Sequence, residues 1–217
     1  MNLKLIYSLI FLTLFISCFN SSKKNNIEEN VEINSNNKDC LYSVNLKKTK
    51  LIWSGYKTTD KIKVTGTLNK FKSSKIQNNN QYNSIKNLVE GLDFVVDLSS
   101  STSGDEIRDL NLKNFFFKYI GQNWMLNGRF ENFQNDSVDV IFNFFGLEKK
   151  IKLSALYEND KLQLKGSVNL IKQLGLDKAY ESISNKCYDL HKGPDGISKT
   201  WKEVEIHVKA PIIFTCN

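Results

Sequence analysis

The sequence predicts an all-β domain: about eight or nine antiparallel strands on one core, closed as a barrel or packed as a sandwich, with one or two short helices. Three observations carry this. From residue 42 onward, apolar and polar residues alternate with period two, so each run has one apolar and one mostly wet face, as antiparallel sheet requires. Turn residues separate the runs. Only two prolines occur, Pro194 in a loop and Pro211 near the end of the last run, so no central strand is interrupted. Barrels hide their edges by closure, and eight strands leave room inside for side chains or one small ligand.

Strands are expected at residues 50–57, 62–68 and 124–133. In a further run Leu92, Phe94, Val96 and Leu98 share a face. Val138, Val140, Phe142 and Phe144 share another, as do Ile151, Leu153, Ala155 and Tyr157. Leu162, Leu164, Gly166, Val168 and Leu170 form the next, and Val204, Ile206, Val208 and Ala210 the last. Glu158-Asn159-Asp160 and Phe145-Gly146-Leu147 have the composition of tight hairpin turns. Ser103 with Glu106 reads as a capping box opening a helix to about residue 114, and Asp177 as the N-cap of a second helix to about residue 186. Residues 187–199, with Gly193, Pro194 and Gly196, read as a loop.

The first residues read as an address rather than as fold. Lys4 precedes a mostly apolar run, Leu5 to Ile16, of 12 residues, whereas a membrane-spanning helix needs about 20. With Ser17 this is the order of a secretory signal peptide over residues 1–17. Leu14-Phe15-Ile16-Ser17-Cys18 resembles a bacterial lipobox, which makes Cys18 the lipidated residue. Two acyl chains suffice for stable membrane anchoring, at about 0.8 kcal/mol per buried methylene. Residues 18–39, rich in Asn, Ser, Lys and Glu, are expected to form a disordered tether, and residues 40–217 the folded domain. The expected location is the cell envelope. Phe19 is not the Asp type of inner-membrane retention signal, which favours the outer membrane.

The formal charge of +7 falls to +6 once Lys4 is removed with residues 1–17. Lysines spread along the chain, in an exported protein, suit a solvated surface or anionic headgroups, so no nucleic-acid partner is expected. Export also implies disulfide chemistry. Cys40 precedes the first strand and Cys216 follows the last. In a closed antiparallel barrel those ends are neighbours, so Cys40–Cys216 is the favoured pair, with Cys187 as the competing partner.

Several segments, in order, resemble the YceI-like family of lipid- and polyisoprenoid-binding proteins. They are Gly55 to Lys57, Val64-Thr65-Gly66-Thr67, the strand and Ser-Ser turn from Leu92 to Ser100, the Arg108-Asp109 helix between Gly104 and Lys113, and Phe115-Phe116. Downstream, Phe145 to Leu153, Leu164 to Leu170 and Leu174-Gly175-Leu176 also fit, so the resemblance covers roughly residues 42–215. It implies a lipocalin-like barrel that holds a polyisoprenoid, isoprenoid quinone or fatty-acyl chain in an internal pocket, for storage, shielding or transport. It implies a binder rather than an enzyme. The chain departs from the family in carrying Leu51-Ile52-Trp53-Ser54 where an early His is common, and in its loop 187–200.

The apolar pocket is expected to use Trp53, Phe94, Phe116, Trp124, Phe130, Phe142, Phe144 and Leu153, although any one of these also suits plain core filling. Phe115, Phe116 and Phe117, taken as strand, cannot all face one core, so at least one is expected at the mouth or under the helix. Arg108 and Asp109 suit pairing at the helix corner better than headgroup contact. His191 and His207 have no ligand-spaced partner, and no metal or cofactor is expected. Nucleophile-elbow, P-loop and dinucleotide motifs are lacking. The alternative function is a structural or protein-interaction barrel with a filled core. Monomer and homodimer are both left open.

Overall fold

The structure, a computed structural model, describes residues 40–77, 81–134 and 136–216. The expected signal peptide, Cys18 and tether lie outside the described residues. The rest forms strands β1 (Cys40–Val44), β2 (Lys50–Lys57), β3 (Ile62–Leu68), β4 (Phe71–Lys72) and β5 (Asp93–Asp97). These are followed by β6 (Met125–Glu131), β7 (Ser137–Phe144), β8 (Leu147–Glu158), β9 (Lys161–Asn169) and β10 (Glu203–Cys216). Helices are α1 (Ser74–Gln77), α2 (Ile85–Val89), α3 (Glu106–Phe115) and α4 (Asp177–Lys186). All strand pairs are antiparallel, in the order β3-β2-β10-β9-β8-β7-β6-β5-β4, with β1 added on β10. The expected antiparallel barrel is thus the observed fold. Strands β1 and β4 and helices α1 and α2 are additional to the expected elements.

The roll closes through a single segment. β3 pairs with β2, and two residues later β4 pairs with β5 through Phe71 with Val96 and Lys72 with Val95. Thr67 and Thr102 exchange two backbone hydrogen bonds of 2.8 and 3.0 Å, and the Asp97 N–H donates to the Lys70 carbonyl at 3.0 Å. One stretch of chain therefore touches both edges of the sheet. Toward Ile62 the same stretch pairs with β2 alone, which leaves a seam at that end. At Pro211 β10 changes partner, from β2 to β1. A residue without an N–H is tolerated where a ladder changes hands.

Both hairpin turns form as expected. Asn159 and Asp160 have φ of 50° and 57°, and Phe145 and Gly146 have 52° and 91°, the left-handed pairs that match the twist of two-residue hairpins. The helix caps differ from the expectation by one or two residues. The Asp105 carboxylate, not Ser103, accepts from the Arg108 N–H and starts α3. Ser103 instead gives its N–H (2.9 Å) and hydroxyl (2.6 Å) to the Asp109 carboxylate, so a second carboxylate competes for it. α4 begins at Asp177 itself, after Leu176, with no side-chain cap.

Large side chains sit opposite glycines on neighbouring strands. The Trp53 indole covers Gly66, the Phe94 ring covers Gly128, and Leu153 covers Gly166. A strand glycine marks close approach, and here each lets a bulky neighbour lie flat along the bore. Cys40 and Cys216 form a disulfide, the favoured pair, and Cys187 is a buried free thiol. The disulfide ties β1 to the end of β10, beside α2.

Candidate functional site

The bore is solid at one end and hollow at the other. At the solid end Leu88 and Val89 of α2, Val138 and Val140 of β7 and Leu164 of β9 are 0–1% exposed. At the other end lies a cavity of about 400 Å³. Its walls are apolar: Leu51 and Trp53 from β2, Phe142 and Phe144 from β7, Val168 from β9, and Leu174 and Leu176 from the turn after it. α3, α4 and residues 190–201 surround the mouth. A cavity of this size, mostly apolar with a few polar groups, has the form of a small-molecule pocket.

Of the eight expected pocket residues, Trp53, Phe116, Phe142 and Phe144 line the cavity. Trp53 also stitches the seam, its indole N–H donating to the Ser101 hydroxyl at 3.1 Å. Phe94, Phe130 and Leu153 face inward but lie below the cavity floor. Phe94 packs on Phe130 at 5.1 Å between ring centroids and edge-on to Phe142 at 5.9 Å, and Leu153 fills the space over Gly166. Trp124 is not inside at all. It precedes β6 in a turn, with φ of 62°, is 36% exposed, and has the Lys113 ammonium over its ring. The phenylalanine triplet is not strand. Phe115 ends α3 and Phe116 caps it, while Phe117 opens a 3-10 turn. That break in period lets Phe116 and Phe117 both line the cavity.

Other cavity residues escaped the sequence reading: Leu174, Leu176, Leu190, His191, Thr200 and Trp201. They lie on turns and loops, where no period marks an inward face. The Trp201 indole N–H donates to the Thr58 carbonyl at 2.8 Å, and Lys61 and Lys199 sit over its ring.

Polar groups concentrate at the mouth. Arg108 reaches the cavity, but its guanidinium donates to Asp105 Oδ2 and Ser103 Oγ, both at 3.2 Å, so the helix corner already occupies it. His191 Nδ1 lies 2.7 Å from the Thr200 hydroxyl. Burial lowers the His191 pKa, and nearby Lys57 lowers it further. Burial raises the Cys187 thiol pKa, against the pull of Lys186 and Lys57. Both effects favour the neutral forms of these two side chains. Among the described residues no group of three or more metal-ligating side chains occurs.

No protein-family model matches the chain, and no curated protein does either. Solved structures do match. A polyisoprenoid-binding domain from Saccharophagus degradans, described as implicated in plant cell wall breakdown, aligns with a TM-score of 0.54 at 11% identity, over 81% of this chain and 98% of that one. BcnA of Burkholderia cenocepacia aligns with a TM-score of 0.50 at 12% identity, over 79% and 99%. The YceI protein of Campylobacter jejuni is more distant, with a TM-score of 0.41 at 12% identity over 71% and 85%. At such identity the likeness to the first two is one of fold: the chain is built on the barrel that they share.

Proposed function

We propose that this chain is a YceI-like lipid-binding protein of the bacterial envelope, held to a membrane through Cys18, that stores, shields or carries an apolar chain of isoprenoid or acyl type. The observation that carries the reading is the cavity itself: an oily bore, open at one end, with its polar groups gathered at the mouth. Burial of apolar surface contributes about 25 cal/mol per Å² without directionality, so such walls suit a tail, and His191, Thr200 and Lys57 suit a polar head. The fold shared with a polyisoprenoid-binding domain supports the same class of ligand. A filled-core interaction barrel is the poorer account, because the bore holds an apolar cavity of about 400 Å³.

Mass spectrometry of organic extracts from natively purified protein tests this. A stoichiometric lipid, lost in a Trp53→Ala, Phe144→Ala double variant that still folds, is the expected result. An extract without lipid, together with no uptake of prenyl or fatty-acyl ligands, would refute it. Metabolic labelling with a palmitate analogue tests the anchor, and Cys18→Ser should abolish the label.

A further inference from the structure

The cavity lining stops at Phe142 on β7, short of Val140 and Val138, and what ends it is built. Phe94 lies across the bore because Gly128 opposite has no side chain. A Cβ there would overlap the Phe94 ring and the Ile141 carbonyl. Phe142 stands edge-on against Phe94, and Phe130 backs it. Beneath this aromatic layer Val138, Val140 and Leu164 are essentially sealed, and α2 inserts Leu88 and Val89 from the far side. No residue of that layer except Phe142 lines the cavity.

From this geometry we infer that Phe94 and Phe142 are a stop that limits the ligand to a short chain. The inference rests on the lipid-binding reading and narrows it. A cavity of about 400 Å³ holds on the order of 15 carbons, taking a methylene as slightly smaller than the about 30 Å³ share of a liquid water molecule and packing it as tightly as a protein interior. That is the size of a medium or long fatty-acyl chain, or of about three prenyl units. A prenyl chain several times longer leaves most of its length outside the bore.

The test is a length series on the purified protein. Saturated fatty acids of about 8 to 24 carbons, and farnesol, geranylgeraniol and solanesol, displace a fluorescent fatty acid from the cavity. Affinity should rise about fourfold per methylene, the burial of one CH₂, until the chain reaches the stop, and then level off. Phe142→Ala and the milder Phe94→Leu should move the break to chains a few carbons longer. Affinity that climbs unbroken to the longest chains overturns the stop, as does a break that stays in place in either variant that folds. Should both variants misfold, the series on the unaltered protein decides alone. An unaltered protein that binds no chain of any length overturns the lipid-binding reading itself, a result distinct from binding without a length limit.

Discussion

β9 runs from one regime to the other. Leu162 and Leu164 at its start are buried in a solid interior, while Val168 near its end, and Leu170 just beyond, face the cavity. β7 does the same in the same direction, from Val138 and Val140 to Phe142 and Phe144. The inward side chains on the two ends are of one kind, so strand patterning does not decide which end fills. The covers do. At the solid end α2 buries Ile85, Leu88 and Val89, and β1 and the disulfide brace it. At the hollow end α3 buries no residue completely and leaves Ile107 and Leu110 exposed. A plug that inserts side chains makes a core, and a lid that lies across the mouth keeps a cavity.

The largest expected effect concerns the brace. The disulfide joins residues 176 apart, and in the chain-entropy model a loop of that length is worth about 5 kcal/mol. Cys216→Ser should lower the urea midpoint accordingly. A loss below about 1 kcal/mol would mean that α2 holds the solid end unaided. Next comes a matched pair of truncations. Leu164→Ala, in the solid end, should cost about 2–5 kcal/mol through the void that it opens. Leu51→Ala, on the cavity wall, should cost about 1 kcal/mol, since part of that side chain already faces empty space. Equal costs would erase the contrast. A smaller pair uses glycines. Gly128→Ala must displace Phe94 or the Ile141 backbone, at about 1–3 kcal/mol. Gly55→Ala meets nothing within 4 Å and should be neutral in thermal unfolding.

These pairs also mark what the sequence carried and what it did not. Residues 50–57 and 62–68 form strands at those bounds because β-branched and aromatic residues mark the first, Ile62, Val64, Gly66 and Leu68 alternate in the second, and the turn at Thr58–Lys61 divides them. Inwardness was legible too: Phe94, Phe130, Leu153, Phe142 and Phe144 all face the bore. Depth along the bore was not, because it depends on register between strands that alternation leaves free. Phe94 and Phe144 look alike in sequence and lie on opposite sides of the cavity floor. The plug was invisible for a different reason: α2 has five residues, too few to show a helical period. Trp124 misled because the strand begins one residue after it, at a turn with positive φ that nothing in its own chemistry announces.

The smallest expected effect separates the halves by pH. In the hollow end His191 has a folded-state pKa below its ordinary 6.5, through burial and Lys57. Its neutral form belongs to the folded state, so its contribution is intact above about pH 6.5 and is lost as pH falls through the lower folded value. His207, outside the bore beside Gln163, shifts the same way through burial, Lys165 and Lys209. Near the solid end the groups are carboxylates. Asp139 is held below its ordinary 3.8 by Asn132 and Lys150. For Asp93 burial pulls upward, but hydrogen bonds from Ser74, Lys75 and Ser73 outweigh it. Their contributions are intact above about pH 4 and vanish only below it. Melting temperature followed from pH 8 downward should therefore fall in two steps. His191→Gln should shrink the upper step and leave the lower one, whereas Asp139→Asn should do the reverse. An upper step unchanged by His191→Gln would assign it to His207, and the hollow end would then carry no pH signature of its own.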